Sequence, residues 1–140
     1  MPSLTLAAAD LRQEGAVVEV TLAPSGASRP ETSPRAVRPA SLLVDTGASQ
    51  TFVRHGLLAP LGLHSVGVAE VTTPSSRGVR CALYAARIGF QHGHELDATV
   101  VEGPPGGLEG LSVDGLLGRD VLRSGLLIYL GEAGQFTLGF

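Results

Sequence analysis

Lysine and asparagine are absent from this chain, cysteine occurs once, and no long apolar run interrupts it. Each shortage removes a class of chemistry. Without Lys there is no Walker-type phosphate loop and no Schiff-base catalysis. Without Asn there is no N-glycosylation acceptor. Both absences read as the coding bias of a GC-rich genome. A lone thiol, Cys81, rules out an intrachain disulfide and points to a reducing compartment. No apolar stretch approaches the ~20 residues of a membrane span. The opening "MPSLTLAAAD" has no basic segment and too short an apolar run for a secretory leader. The expectation is a cytoplasmic protein with no membrane partner. Net charge is −3 and the pI about 5.7. The basic stretches (Arg29, Arg35 and Arg38; Arg77 and Arg80) lack nearby aromatics, so a nucleic-acid partner is not expected.

What is present is a chain of 140 residues, 44% of them hydrophobic. That length suits one domain, 1–140. A domain of this size buries roughly two thirds of its unfolded surface and needs no metal or disulfide staple. Apolar segments are short and Gly and Pro recur between them. "AVVEVTL" (Ala16 to Leu22), "SLLVD" and "ELDATVV" (Glu95 to Val101) read as strands, as do "GLLIYL" and "QFTLGF" near the end. "SVGVAEV" (Ser65 to Val71) and "VRCALYAARIGF" (Val79 to Phe90) flank the turn-rich "TTPSSRG" as a long hairpin. Many short, closely spaced strands predict an all-β barrel or sandwich. Helix is scarce: a turn or two in "RHGLLAPLG" and about two turns in "GRDVLRSG" (Gly118 to Gly125). Two Pro- and Gly-rich stretches, about 24–39 and 102–113, read as loops.

The segment with chemical content is "SLLVDTGASQTFV", Ser41 to Val53. Three apolar residues suggest a strand buried on both faces, so Asp45 begins near the interior. A carboxylate there needs hydrogen bonds or a partner. Thr46 offers a hydroxyl, and Gly47 lets backbone approach closely. An isolated "DTG" reads equally well as a helix cap or an Asx-turn. Here the pattern is longer.

"LLVDTGAS" resembles the active-site turn of aspartic proteases of the retroviral, or retropepsin-like, group. "DGLLGRDVL" (Asp114 to Leu122) resembles the second half of that signature, an apolar pair followed by Gly and a short helix opening Gly-Arg. The hairpin between them lies where the family has its flap. "PSLTL" and "FTLGF" resemble the terminal strands with which retroviral proteases build a dimer sheet. The likeness covers nearly the whole chain, with the two loops as insertions. It implies an all-β, retropepsin-like closed β-barrel or sandwich with a flap hairpin and one short C-terminal helix. It also implies an aspartic endopeptidase using no cofactor and no metal.

Hydrolysis by this route needs two carboxylates that share a proton. The chain has one "DTG". Asp114 lacks the Thr, Asp120 sits in the expected helix, and Asp97 sits in a strand. A homodimer solves the shortage, because a two-fold axis brings the same patch of both copies together. The resemblance then implies catalytic roles for Asp45, Thr46 and Gly47. Thr46 would bond across to the opposite turn, and Gly47 would show its carbonyl to substrate. A polypeptide in extended conformation would be held by Ala48, Ser49 and a flap tip of Thr73, Pro74, Ser75, Ser76, Arg77 and Gly78. Gly118, Arg119 and Asp120 would support the turn. Ala48 supplies no hydroxyl to the carboxylate, so the dyad is expected to be somewhat harder to ionise. Ser49 stands where retroviral enzymes commonly carry an Asp for the Arg of the Gly-Arg helix. Arg119 must then use Asp120, Asp114, a terminal carboxylate or a backbone carbonyl.

Other constellations read more plainly. His92 and His94 miss the spacing of binuclear hydrolases and suit a polar hairpin turn. Cys81, inside an apolar strand, reads as an inert buried thiol, and Tyr84 as a packing residue rather than a flap aromatic. No "GxSxG" elbow occurs. The rival function is a non-catalytic dimerisation or peptide-binding module on the same fold.

Overall fold

A computed structural model describes residues 2–8, 10–25, 36–73 and 76–140. Ten strands carry it: β1 (Ser3–Ala7), β2 (Val17–Pro24), β3 (Arg38–Val44), β4 (Phe52–Val53), β5 (Gly67–Thr73), β6 (Ser76–Phe90), β7 (Glu95–Glu102), β8 (Gly115–Leu117), β9 (Leu126–Leu130) and β10 (Gln135–Gly139). Seven form one sheet in the order β2-β3-β8-β4-β7-β6-β5, and β2 also pairs with β6. That extra pairing closes six strands into a barrel and leaves β5 outside it. Of the all-β barrel or sandwich expected from the strand spacing, the barrel is the fold observed.

Strand β6 makes the closure possible through its length. Leu83 lies between Gly67 of β5 on one edge and Val101 of β7 on the other. Further along, β2 takes over the edge that β5 vacates, with Ala86 opposite Pro24 and Phe90 opposite Val20. The first half of β6 is therefore free to project with β5 as a hairpin, while its second half is barrel wall. The long hairpin expected on either side of "TTPSSRG" forms there. Its tip is narrower than expected. Thr73 already pairs with Ser76, so Ser76, Arg77 and Gly78 belong to β6, and Pro74 and Ser75 lie outside the described residues.

The core follows from strand alternation. Val18, Val20 and Leu22 of β2 point inward while Glu19 and Thr21 face out. They meet Leu42, Val53, Ile88, Val100 and Leu117, all fully enclosed, with Phe136 and Leu138 of β10 sealing one end. Each such side chain stabilises the fold by roughly 1.5–3 kcal/mol relative to exposure. Strand β3 alternates too. Leu42 is buried, but Leu43 and Val44 are only half-buried, so the two-sided burial expected for "LLV" does not occur. Tyr84 packs against the core and Cys81 is buried as a free thiol, as their positions suggested. Burial pushes that thiol up from its ordinary pKa, which keeps it unreactive. His92 and His94 stack with Phe140 and lie tilted against Phe90; the His94 and Phe140 rings are 4.7 Å apart and nearly parallel.

Helices are shorter and more numerous than expected. The Gly-Arg segment gives one turn, α2 (Arg119–Leu122), not two. An additional turn, α1 (Leu11–Glu14), is capped by the Asp10 carboxylate, which accepts from the amides of Arg12 and Gln13. "RHGLLAPLG" yields only a 3-10 turn, Ala59–Leu61. The strands extend into the first loop, with β2 running through Pro24 and β3 beginning at Arg38, and residues 26–35 lie outside the described residues; the second connection, 103–114, falls within one residue of its expected bounds. The terminal strands pair with each other inside the chain. A second sheet, β1-β10-β9, aligns Ser3 with Gly139 and Ala7 with Gln135.

Candidate active site

Asp45 sits where β3 leaves the barrel. Its neighbour Val44 donates to the Ala16 carbonyl at 2.8 Å, and its own amide donates to the Leu117 carbonyl at 3.0 Å. The turn then closes on itself, with the Ala48 amide donating to the Asp45 carbonyl at 3.2 Å. The carboxylate is half-exposed. Its Oδ1 accepts from the Gly47 amide at 2.8 Å. A methyl group on Gly47 would stand 3.0 Å from that same oxygen, so glycine lets the loop curl round the carboxylate. Thr46 and Gly47 are exposed.

Arg119 fastens the far side of the turn. Its amide donates to the Ala48 carbonyl at 2.9 Å and its guanidinium to the Thr46 carbonyl at 2.7 Å. Of the four partners the sequence left open for Arg119, the structure selects the backbone carbonyl. The two acids are engaged elsewhere. Asp114 accepts from the Ser41 amide at 2.9 Å and lies 3.9 Å from Arg54. Asp120 accepts from the Thr51 hydroxyl at 2.9 Å.

Thr51 is the residue that sequence reasoning missed. It is fully buried and links three segments. Its hydroxyl donates to Asp120 and accepts from the Gly118 amide at 3.1 Å. A buried hydroxyl with both functions satisfied holds α2 against the chain that leaves the Asp45 turn. Gly118 makes the approach possible. A Cβ there would lie 2.5–2.9 Å from the backbone of Gln50 and Thr51. Gly115 serves the same purpose at the start of β8, where a Cβ would fall 2.1 Å from the Phe52 carbonyl oxygen. The sequence signal for Thr51 was weak, a single Thr before a strand of two residues.

The structure thus brings together Asp45, Thr46, Gly47 and Ala48 with Gly118 and Arg119, and ties Asp120 in through Thr51. Ser49 is exposed beside them. Thr73, Ser76, Arg77 and Gly78 lie on a separate element, the β5–β6 hairpin. A groove of about 360 Å³ runs between α2 and β7, lined by Gln50, Asp97, Asp120 and Arg123 among others, and does not include Asp45. Among the described residues no cluster of three His, Cys, Asp or Glu side chains has metal-binding geometry. No helix among them is long and apolar enough to cross a membrane.

The chain is similar to known proteins in two ways. A family model described as "Aspartyl protease" matches residues 36–121, which spans both the Asp45 turn and the Gly-Arg helix. A solved structure, a retropepsin-like aspartic protease from Rickettsia conorii, superposes with a TM-score of 0.51 at 16% identity, over 89% of this chain and 93% of that one. At that identity the likeness concerns the fold. No curated protein matches the sequence.

Replacing Thr51 with the isosteric Val strips Asp120 and the Gly118 amide of a buried partner. It is expected to cost about 1–3 kcal/mol, read as a lower urea midpoint with an unchanged slope. An unchanged midpoint would mean that this network does not hold α2 in place.

Proposed function

The chain belongs to the aspartyl protease family, and from that premise we propose that it is an aspartic endopeptidase that works as a homodimer. The observation that carries the proposal is the Asp45 turn. It holds one half-exposed carboxylate rigidly between Leu117 and Arg119, and the sequence provides no second turn of its kind. Two copies facing across a two-fold axis would supply the pair.

In that arrangement the two carboxyl groups hold one proton between them, because like charges about 3 Å apart do not both ionise. The ionised Asp45 takes a proton from a water held between the groups. The protonated Asp45 gives its proton to the scissile carbonyl oxygen as the water oxygen bonds to the carbon. Collapse of the tetrahedral intermediate then breaks the C–N bond, and the amine leaves with a proton from the dyad. The reaction consumes one water and calls for no metal or cofactor. Thr46, exposed on its turn, is suited to bond across to the other copy, and the Gly47 carbonyl to receive a substrate amide. The β5–β6 hairpin would cover an extended polypeptide, with Ala48, Ser49 and the residues from Thr73 to Gly78 along its path. One domain in a reducing, cytoplasmic setting, with Cys81 kept as a thiol, fits this reading.

Asp45→Asn is expected to abolish cleavage of an unfolded protein, at least a thousandfold on the scale of catalytic carboxyl loss, with the fold and the assembled mass unchanged. A peptide-binding module would instead keep its partner affinity in this variant and show no cleavage as wild type. Ala48→Ser is expected to place a hydroxyl donor near the carboxylate. A bond to the ionised form favours that form, so the acidic limb of the kcat/KM profile should move to lower pH. An unmoved limb would mean that position 48 does not reach the dyad.

A further inference from the structure

We propose that the groove between β7 and α2 is a second peptide site, where a short extended segment with an acidic residue beside an apolar one adds as a strand to the open edge of β7. The site is separate from Asp45, goes beyond the peptidase reading and does not rest on it.

The barrel wall is open along half of β7. On one side β7 pairs with β6 from Glu95 to Val101. On the other, β4 covers only Val101 and Glu102. In an antiparallel pair alternate residues bond to a given neighbour, and two bonds fix which ones. The Phe90 amide donates to the His94 carbonyl at 2.8 Å, so in the same register Leu96, Ala98 and Val100 are the residues bonded to β6. The Val101 amide donates to the opposite side, to the Thr51 carbonyl at 3.0 Å. The N–H and C=O of Asp97 and Thr99 therefore point to that side too, and among the described residues no backbone group meets them. They open into the groove that these residues line. Sheet edges are commonly guarded by charge. Here Arg87 draws the Asp97 carboxylate back over β6, with Nε at 3.0 Å and Nη2 at 3.3 Å, and away from the edge.

Size and lining select the occupant. A volume of about 360 Å³ lies at the small end of ligand sites. It suits a segment of about three residues, the length that two outward-facing residues at i and i+2 can bond. The apolar lining is Leu96, Ala98 and Val121, each packed on the core. One side chain of an added strand would cover it. The charged lining is Asp97, Asp120 and Arg123. Both acids are engaged, Asp97 by Arg87 and Asp120 by the Thr51 hydroxyl and the Val121 amide, each at 2.9 Å. Arg123 is exposed, and among the described residues its guanidinium has no hydrogen bond or ion pair. The charge left for a ligand to meet is thus positive, and an acidic side chain on the segment meets it with a charge-assisted bond.

Nuclear magnetic resonance titration of isotope-labelled Asp45→Asn protein, which leaves the probe uncleaved, tests this. The probe is the blocked peptide Ac-Thr-Val-Glu-Val-Thr-NH2, with a second in which Lys replaces Glu. The amides of Asp97 and Thr99 are expected to shift saturably at about millimolar peptide. The Glu peptide should bind roughly tenfold or more tightly than the Lys peptide, and Arg123→Glu should reverse that order. Strand addition has a further signature that needs no variant of the groove. Of two Glu peptides N-methylated on alternate residues, one should bind as the parent does and the other roughly tenfold or more weakly, because only alternate amides face β7. Shifts confined to the Asp45 turn and the β5–β6 hairpin, equal affinity of the two methylated peptides, or an unreversed order in Arg123→Glu would overturn this site and leave the peptidase reading intact. A doubled mass without peptide, with the Asp97 and Thr99 amides protected from exchange, would place a second copy on the edge and overturn the peptide proposal. A wild-type chain that cleaves nothing while the predicted shifts appear would instead overturn the peptidase reading and support this site.

Discussion

The hydrogen bond from the Asp45 amide to the Leu117 carbonyl, 3.0 Å long, joins the end of one barrel strand to the end of another and fixes the direction in which the carboxylate leaves the protein. It exists because β3 and β8 run parallel, Leu42 beside Gly115 and Val44 beside Leu117. On the other side of β8, glycines at 115 and 118 let the backbone of Phe52 and of Gln50–Thr51 pass too close for any side chain. The loop beyond is then held at three further points, by the Gly47 amide on the carboxylate and by the amide and guanidinium of Arg119. Under the proposed pairing of two such carboxylates, a flexible arm would not serve, since an ångström of misplacement disrupts proton sharing and water placement. The barrel is the device that removes that freedom.

Arg119 illustrates how the support tolerates change. With Ser at position 49, no carboxylate among the described residues lies within ion-pair reach of the guanidinium. It donates instead to a carbonyl of the very turn it must hold. A charge-assisted bond to a carbonyl is weaker than a bidentate ion pair but fixes direction as well. The acid next in sequence, Asp120, is drawn away by the buried Thr51 hydroxyl, which secures the helix rather than the turn. Two adjacent residues of one helical turn thus perform separate tasks, and neither depends on an ion pair.

How much of this was legible in the sequence varies with length of pattern. "LLVDTGAS" and "LLGRD" mark the site because five or more consecutive residues serve one geometry. The long strands were legible from alternation and turn residues. Strands β4 and β8, of two and three residues, carry no period to read, although they complete the barrel between β3 and β7. Helix α1 was hidden because four residues show no period; the Asp10 cap and the single buried Leu11 hold it. Thr51 gave only a weak signal, since a buried hydroxyl acquires its role from what folds against it. The end strands resembled those of a dimer sheet, yet whether such strands pair within a copy or between copies is a property of topology. Here the intrachain ladder fills both sides of β10, with β1 on one and β9 on the other.

The central claim is that catalysis belongs to a pair of Asp45 residues from two chains. Mixing wild type with Asp45→Asn at equal total concentration, after full subunit exchange, tests it most directly. Random pairing makes the fraction of intact dyads the square of the wild-type fraction. An equal mixture is predicted to retain about a quarter of the activity of the same total amount of wild type. Retention of about half, in proportion to the wild-type chains present, would show that each copy cleaves alone.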